Sequence, residues 1–207
     1  MAPPVTERAG PLFERVGMSV RCAALLLALV AVGARADGLS DKIEVCFACH
    51  GPGGISEQEN VPSIAAQPSY LTQWQLVFYR TGSLKSELMQ PVAAELTNDD
   101  IKALGAYLET LPPPKPPKAA DPEPEMTKVG ARLAVDRRCN NCHGPKFAGL
   151  QAAARLAGQR EEVLLKALLD YKAGTRTGTG VAAMPETVFS LGEPELRALA
   201  HYLSRQP

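Results

Sequence analysis

The stretch Cys46-Phe47-Ala48-Cys49-His50-Gly51-Pro52 returns 93 residues later as Cys139-Asn140-Asn141-Cys142-His143-Gly144-Pro145. What lies around it returns in the same order. Ile64-Ala65-Ala66-Gln67 recurs as Leu156-Ala157-Gly158-Gln159, and Tyr79-Arg80-Thr81-Gly82 as Tyr171-Lys172-Ala173-Gly174, both 92 residues on. Met89 and Tyr107-Leu108 recur as Met184 and Tyr202-Leu203, both 95 residues on. Matching segments in constant order at a nearly constant offset mark a duplicated unit. Between the copies stands Pro112-Pro113-Pro114-Lys115-Pro116-Pro117, followed by Pro122 and Pro124. Proline fixes φ and lacks a donor, so an extended, semi-rigid linker is expected there. The organisation expected is one domain over 37–111, a linker over 112–126 and a second domain over 127–207.

Apolar spacing within each copy is helical. A short helix runs into Cys46. A second covers Tyr70 to Tyr79, with Leu71, Trp74, Val77 and Phe78 on one face. A third covers Asp99 to Thr110; Thr97 caps it and Asp100 closes the capping box. The second copy predicts helices over Lys128–Arg138, Glu161–Lys172 and Pro194–Ser204. No segment alternates as a strand would, so the fold class expected is all-α. Each copy has about 75 residues, too few for an apolar core to be more than marginal. Aromatics are only 5% of the chain, so another apolar filler is expected.

Cys-x-x-Cys-His supplies that filler. It is the attachment motif of haem c: two thiols add across the two porphyrin vinyl groups as thioethers, and the adjacent histidine lies under the iron. Two copies predict two haem c groups, on Cys46 and Cys49 with His50, and on Cys139 and Cys142 with His143. The alternatives are a disulfide pair, a dithiol redox motif and a zinc site, and the last wants more cysteines or histidines than the chain has. For the sixth position the candidates are Met89, in Met89-Gln90-Pro91, and Met184, before Pro185. Each is expected on a loop about 40 residues beyond its histidine. Met126 has no counterpart and reads as a linker residue, packed or exposed. His201, the remaining histidine, reads as an exposed or partly packed side chain. An iron held between imidazole and thioether has no open position, so electron transfer is expected and no catalytic residue is assigned.

The N-terminus reads as an export signal over 1–36. Arg21 precedes an apolar run from Cys22 to Val32, and Ala34-Arg35-Ala36 offers a cleavage site. Met18 is an alternative start, and the run is short for a membrane-spanning helix. Overall formal charge is zero, yet the copies differ. From Asp37 to Leu111 there are 4 Lys/Arg against 10 Asp/Glu, a net of −6. From Lys128 to Pro207 there are 12 against 7, a net of +5. Such asymmetry steers encounters with charged redox partners, and no nucleic-acid motif accompanies it.

On these motifs the chain resembles class I c-type cytochromes and, by its duplication, the dihaem cytochrome c4 group. The resemblance spans about Asp41 to Leu203. It implies two tandem class I cytochrome c domains, each a small helical shell around a covalent haem. It further implies a periplasmic one-electron carrier between a quinol-oxidising complex and a terminal oxidase or reductase, with peripheral membrane association allowed. Alternatives are a haem-bearing subunit of a periplasmic dehydrogenase, or a dihaem redox enzyme with an open axial site. In the family a backbone carbonyl, often from proline, orients the proximal histidine. Pro62 suits this in the first copy, and Ala154 stands in the second. Arg176, in Gly174-Thr175-Arg176, resembles an arginine that meets a haem propionate, where the first copy offers Lys85.

Overall fold

Both copies become helices where the apolar spacing is helical. The computed structural model describes residues 38–176 and 183–207, so the predicted signal lies outside the described residues. Among them there is no strand, only an isolated bridge between Leu150 and Ala153. Helix α1 (38–50) runs without interruption through Cys46 and Cys49 to His50. It is followed by a 3-10 turn (Pro52–Gly54), α2 (Ser69–Arg80), α3 (Met89–Ala94) and α4 (Asn98–Glu109). The second copy gives α5 (Pro124–Asp136), α6 (Cys139–His143), a 3-10 turn (Pro145–Phe147), α7 (Glu161–Lys172), α8 (Ala183–Val188) and α9 (Glu193–Ser204).

The first-copy framework is α2 packed on α4, with α3 against α2. The capping box forms as expected. Thr97 Oγ1 accepts the Asp100 N–H at 3.1 Å, and Asp100 accepts the Thr97 N–H at 2.9 Å. Ile101, Leu104 and Leu108 are then buried on one face of α4. The second-copy framework is α9 packed on both α5 and α7. Gly130 makes the α5–α9 crossing close: a Cβ there would lie 2.1 Å from the Ala198 carbonyl oxygen. Leu133, Leu164, Leu168, Leu196, Leu199 and Leu203 fill the core between these helices.

Three local differences from the sequence reading have physical reasons. Helix α5 begins at Pro124, inside the stretch expected to be extended, because a proline at the first helical position loses no hydrogen bond. Met126 therefore lies in α5 and packs against the core rather than in a linker. The helix into the second motif does not reach Arg138 as expected. Arg138 is left-handed (φ 54°), so Cys139–His143 forms a separate turn. The segments carrying Met89 and Met184 are short helices rather than loops. Pro91 and Pro185 sit in their first turns, where the missing N–H costs nothing.

The copies meet through a reciprocal pair of side-chain amides. Gln159 accepts the Ser63 N–H at 2.9 Å and donates to the Ser63 carbonyl at 2.8 Å. Gln67 accepts the Arg155 N–H at 3.0 Å and donates to the Arg155 carbonyl at 3.1 Å. Gln67 and Gln159 occupy equivalent repeat positions, and so do Ser63 and Arg155. Arg160 adds a contact to the Ser56 carbonyl at 3.2 Å.

Candidate haem-binding site

Helix places the motif residues. On α1, Cys46 and Cys49 are three apart and share a face, with His50 beside them. The second motif repeats this on α6. Among the described residues the four motif cysteines form no disulfide; Cys49 and Cys142 are exposed, and Cys46 and Cys139 are half-buried. Burial pushes the Cys46 and Cys139 thiols up, opposite to what a reactive dithiol needs. Among the described residues no three His, Cys, Asp or Glu side chains converge as a metal-ion site. These points argue against the disulfide, dithiol and zinc readings.

Each motif histidine is buried, His50 8% and His143 9% exposed. The Nδ1–H of His50 donates to the Pro62 carbonyl at 2.7 Å, and that of His143 to the Ala154 carbonyl at 2.7 Å. Alanine thus serves as well as proline, since the carbonyl belongs to the backbone. Burial lowers both histidines from the ordinary imidazole value, against a smaller opposing effect of the carbonyl bond. With Nδ1 donating to the carbonyl, Nε2 is the ring nitrogen left to face a metal, and no bond to it is made among the described residues.

Other polar groups fit the same cofactor. The Nε of Arg176 is buried and has no hydrogen-bond partner among the described residues. Its guanidinium lies over the Tyr171 ring, 5.4 Å from the centroid, and donates to Gln75 Oε1 at 3.3 Å. A buried, unsatisfied guanidinium N–H wants an anion, and a haem propionate is one. The expected first-copy counterpart, Lys85, is exposed. Tyr79 also lies by Arg176, where burial raises its phenol and the guanidinium partly offsets this. The repeat of Tyr79 as Tyr171 was the signal for that site. Met89 and Met184 are both half-buried, and Met184 and Cys139 pack against one apolar core.

His201 differs from its expected state. It is 2% exposed, and its ring nitrogens lie 2.9 Å from Glu161 Oε2 and 2.9 Å from Asp121 Oδ1. With both nitrogens engaged it ties the inter-copy segment to α7 and α9 and has no lone pair left for iron.

Residues 35–108 match the family described as cytochrome C oxidase, cbb3-type, subunit III. A thiosulfate dehydrogenase electron acceptor from Stutzerimonas stutzeri is 31% identical over 198 residues, covering 88% of this chain and 91% of that protein. A cytochrome c4 from Thiocapsa roseopersicina is 31% identical, covering 77% of this chain and 85% of its own length. The crystal structure of reduced recombinant cytochrome c4 from Pseudomonas stutzeri superposes with a TM-score of 0.73. It is 26% identical and matches over 83% of this chain and 98% of that one. Two class I cytochrome c domains, two haem c groups and electron transfer follow from this likeness together with the duplicated motif. The chain belongs to the cytochrome c4 family of c-type electron carriers.

Proposed function

We propose that this cytochrome is a periplasmic one-electron carrier and no enzyme. Cys46, Cys49 and His50 hold one haem and Cys139, Cys142 and His143 the other, with Met89 and Met184 as the distal ligands. The boundaries proposed are a signal over 1–36, domains over 37–111 and 127–207, and a joining segment between. The single observation that carries the reading is the pair of buried histidines, each locked by Nδ1 to a backbone carbonyl with Nε2 left free.

When bound, haem supplies a one-electron iron couple. The chain's own residues do the rest. The cysteines fix the ring edge, the carbonyls of Pro62 and Ala154 hold each imidazole plane, and the Arg176 guanidinium offers an unpaired N–H to a propionate. With His50 and Met89 on one iron and His143 and Met184 on the other, no position would be left open to a reactant.

The donor proposed is a quinol-oxidising complex and the acceptor a terminal oxidase or reductase. A second reading, carriage for a periplasmic dehydrogenase, is favoured by the likeness to thiosulfate dehydrogenase electron acceptors. Among the described residues no helix is long and apolar enough to cross a membrane, which suits export in either case.

A redox titration of the purified protein tests the site, with haem counted by the pyridine haemochrome and the near-infrared methionine–iron band monitored. Two haems per chain, the band present, and no response of the reduced protein to cyanide or peroxide are expected. One haem per chain, or a five-coordinate iron at rest, would overturn the reading. Mixing reduced thiosulfate dehydrogenase or quinol-oxidising complex with the oxidised protein separates the two donors by rate.

A further inference from the structure

We infer that Gln67 and Gln159 are positioning residues that set the reduction potential of the haem in the opposite copy. Each acts through the one peptide unit that orients the proximal histidine there. The inference rests on the proposed reading that His50 and His143 are the iron ligands.

The geometry is a relay through a single amide. The carbonyl joining Pro62 to Ser63 accepts the His50 Nδ1–H at 2.7 Å. The N–H of that same peptide unit, on Ser63, donates to Gln159 Oε1 at 2.9 Å. Gln159 Nε2 donates back to the Ser63 carbonyl at 2.8 Å, which fixes its oxygen toward the N–H. In the other copy the carbonyl joining Ala154 to Arg155 accepts the His143 Nδ1–H at 2.7 Å. The Arg155 N–H donates to Gln67 Oε1 at 3.0 Å, and Gln67 Nε2 returns to the Arg155 carbonyl at 3.1 Å.

Amide resonance couples the two ends of a peptide unit. An N–H that donates leaves its carbonyl oxygen richer in electrons, and chains of such bonds strengthen one another by about 10–30% per bond. The effect is greatest away from water, and Ser63 is 2% and Gln159 6% exposed. A better acceptor at Nδ1 makes the imidazole a stronger donor to iron. That favours the oxidised state and lowers the potential. The linkage runs both ways: oxidation of one iron tightens the amide bond reaching its histidine's peptide from the other copy. The two relays are not identical. Gln159 Oε1 also accepts the Arg160 N–H at 3.0 Å. Gln67 Oε1 has the Arg155 N–H alone among the described residues but lies in the less buried relay, so the two differences act in opposite directions.

The test is Gln67→Leu and Gln159→Leu in the full holoprotein. Reduction is followed potentiometrically, with each haem resolved by its own methyl resonances. Gln67→Leu is expected to raise the potential of the haem on Cys139 and Cys142, and Gln159→Leu that of the haem on Cys46 and Cys49. The shift expected is about two- to fivefold in the reduction equilibrium, which is about 20–40 mV at 59 mV per tenfold for one electron. Gln67→Asn and Gln159→Asn keep polarity while withdrawing the amide by one methylene, and they give the same direction if a leucine variant fails to mature. A shift confined to the variant's own copy, an equal shift at both haems, or none, overturns the relay. Loss of imidazole-ligated low-spin iron in the unaltered protein would instead sink the ligand assignment, so the two failures read differently.

Discussion

At the scale of single residues, the proposed ligation of the irons by Met89 and Met184 has a direct test. If they ligate as proposed, replacing Met184 or Met89 by alanine removes a thioether that would favour the reduced state. Each variant is expected to lose half of the near-infrared band, to fall in potential at one haem and to bind cyanide; an unchanged spectrum would remove that methionine from the ligand set. The attachment motif is legible because its chemistry needs adjacency in sequence, and the proposed haem-holding residues fall within five consecutive positions in each copy. The carbonyl behind each histidine was legible as a place, 11 or 12 residues on, and it did not require proline. Gln67 and Gln159 were visible as a repeat but not as a contact. Their partners lie 88 and 96 residues away, and nothing local announces such a pairing. His201 was misread for the same reason: its carboxylates come from residues 40 and 80 positions distant.

At the scale of elements, helix ends and crossings carry the stability. Thr97→Ala removes the hydroxyl arm of the α4 capping box, leaving the backbone N–H to Asp100, and is expected to cost about 1 kcal/mol, read as a lower thermal midpoint. Gly130→Ala places a methyl group against the Ala198 carbonyl oxygen where α5 crosses α9. An overpacked crossing of this kind costs about 1–3 kcal/mol, so Gly130→Ala should be the worse of the two. The contact of α9 and α7 with Asp121 is pH-dependent. Burial disfavours charge on His201, but Asp121 and Glu161 outweigh it and hold its pKa above the ordinary value. A raised pKa gives stability that is complete below about pH 6.5 and lost as pH rises through the folded value. Asp121 behaves oppositely. The Thr127 hydroxyl, with the Glu123 N–H and His201, holds its carboxyl well below the usual range. Its share is present above about pH 3.9 and lost in acid. The midpoint gap between the unaltered protein and His201→Gln is therefore expected to be widest between about pH 5 and 6 and to shrink toward pH 9. A gap independent of pH would dissociate His201 from this contact. Long amphipathic helices were legible to within a few residues, because their period is local. The six-residue helices at Met89 and Ala183 were not, since six residues show less than two turns of pattern.

At the scale of the whole molecule, charge is divided between an acidic first copy and a basic second one. Arg138 is exposed and Arg137 half-buried at the end of α5, just before the second attachment motif. Reversing both to glutamate is expected to slow electron exchange with an acidic redox partner about tenfold or more at low salt. The difference should fade as salt shortens the screening length to about 8 Å. Equal rates at low salt would take these arginines out of docking. The contact between the copies has a consequence of another kind. Its two glutamine-to-backbone pairs exchange places under the internal repeat, so one surface is built to meet its own likeness. A lone ancestral module bearing that surface would have associated with an identical neighbour about a two-fold axis. Carried on one polypeptide, such a pair holds together at any concentration, and its two faces can differ in charge.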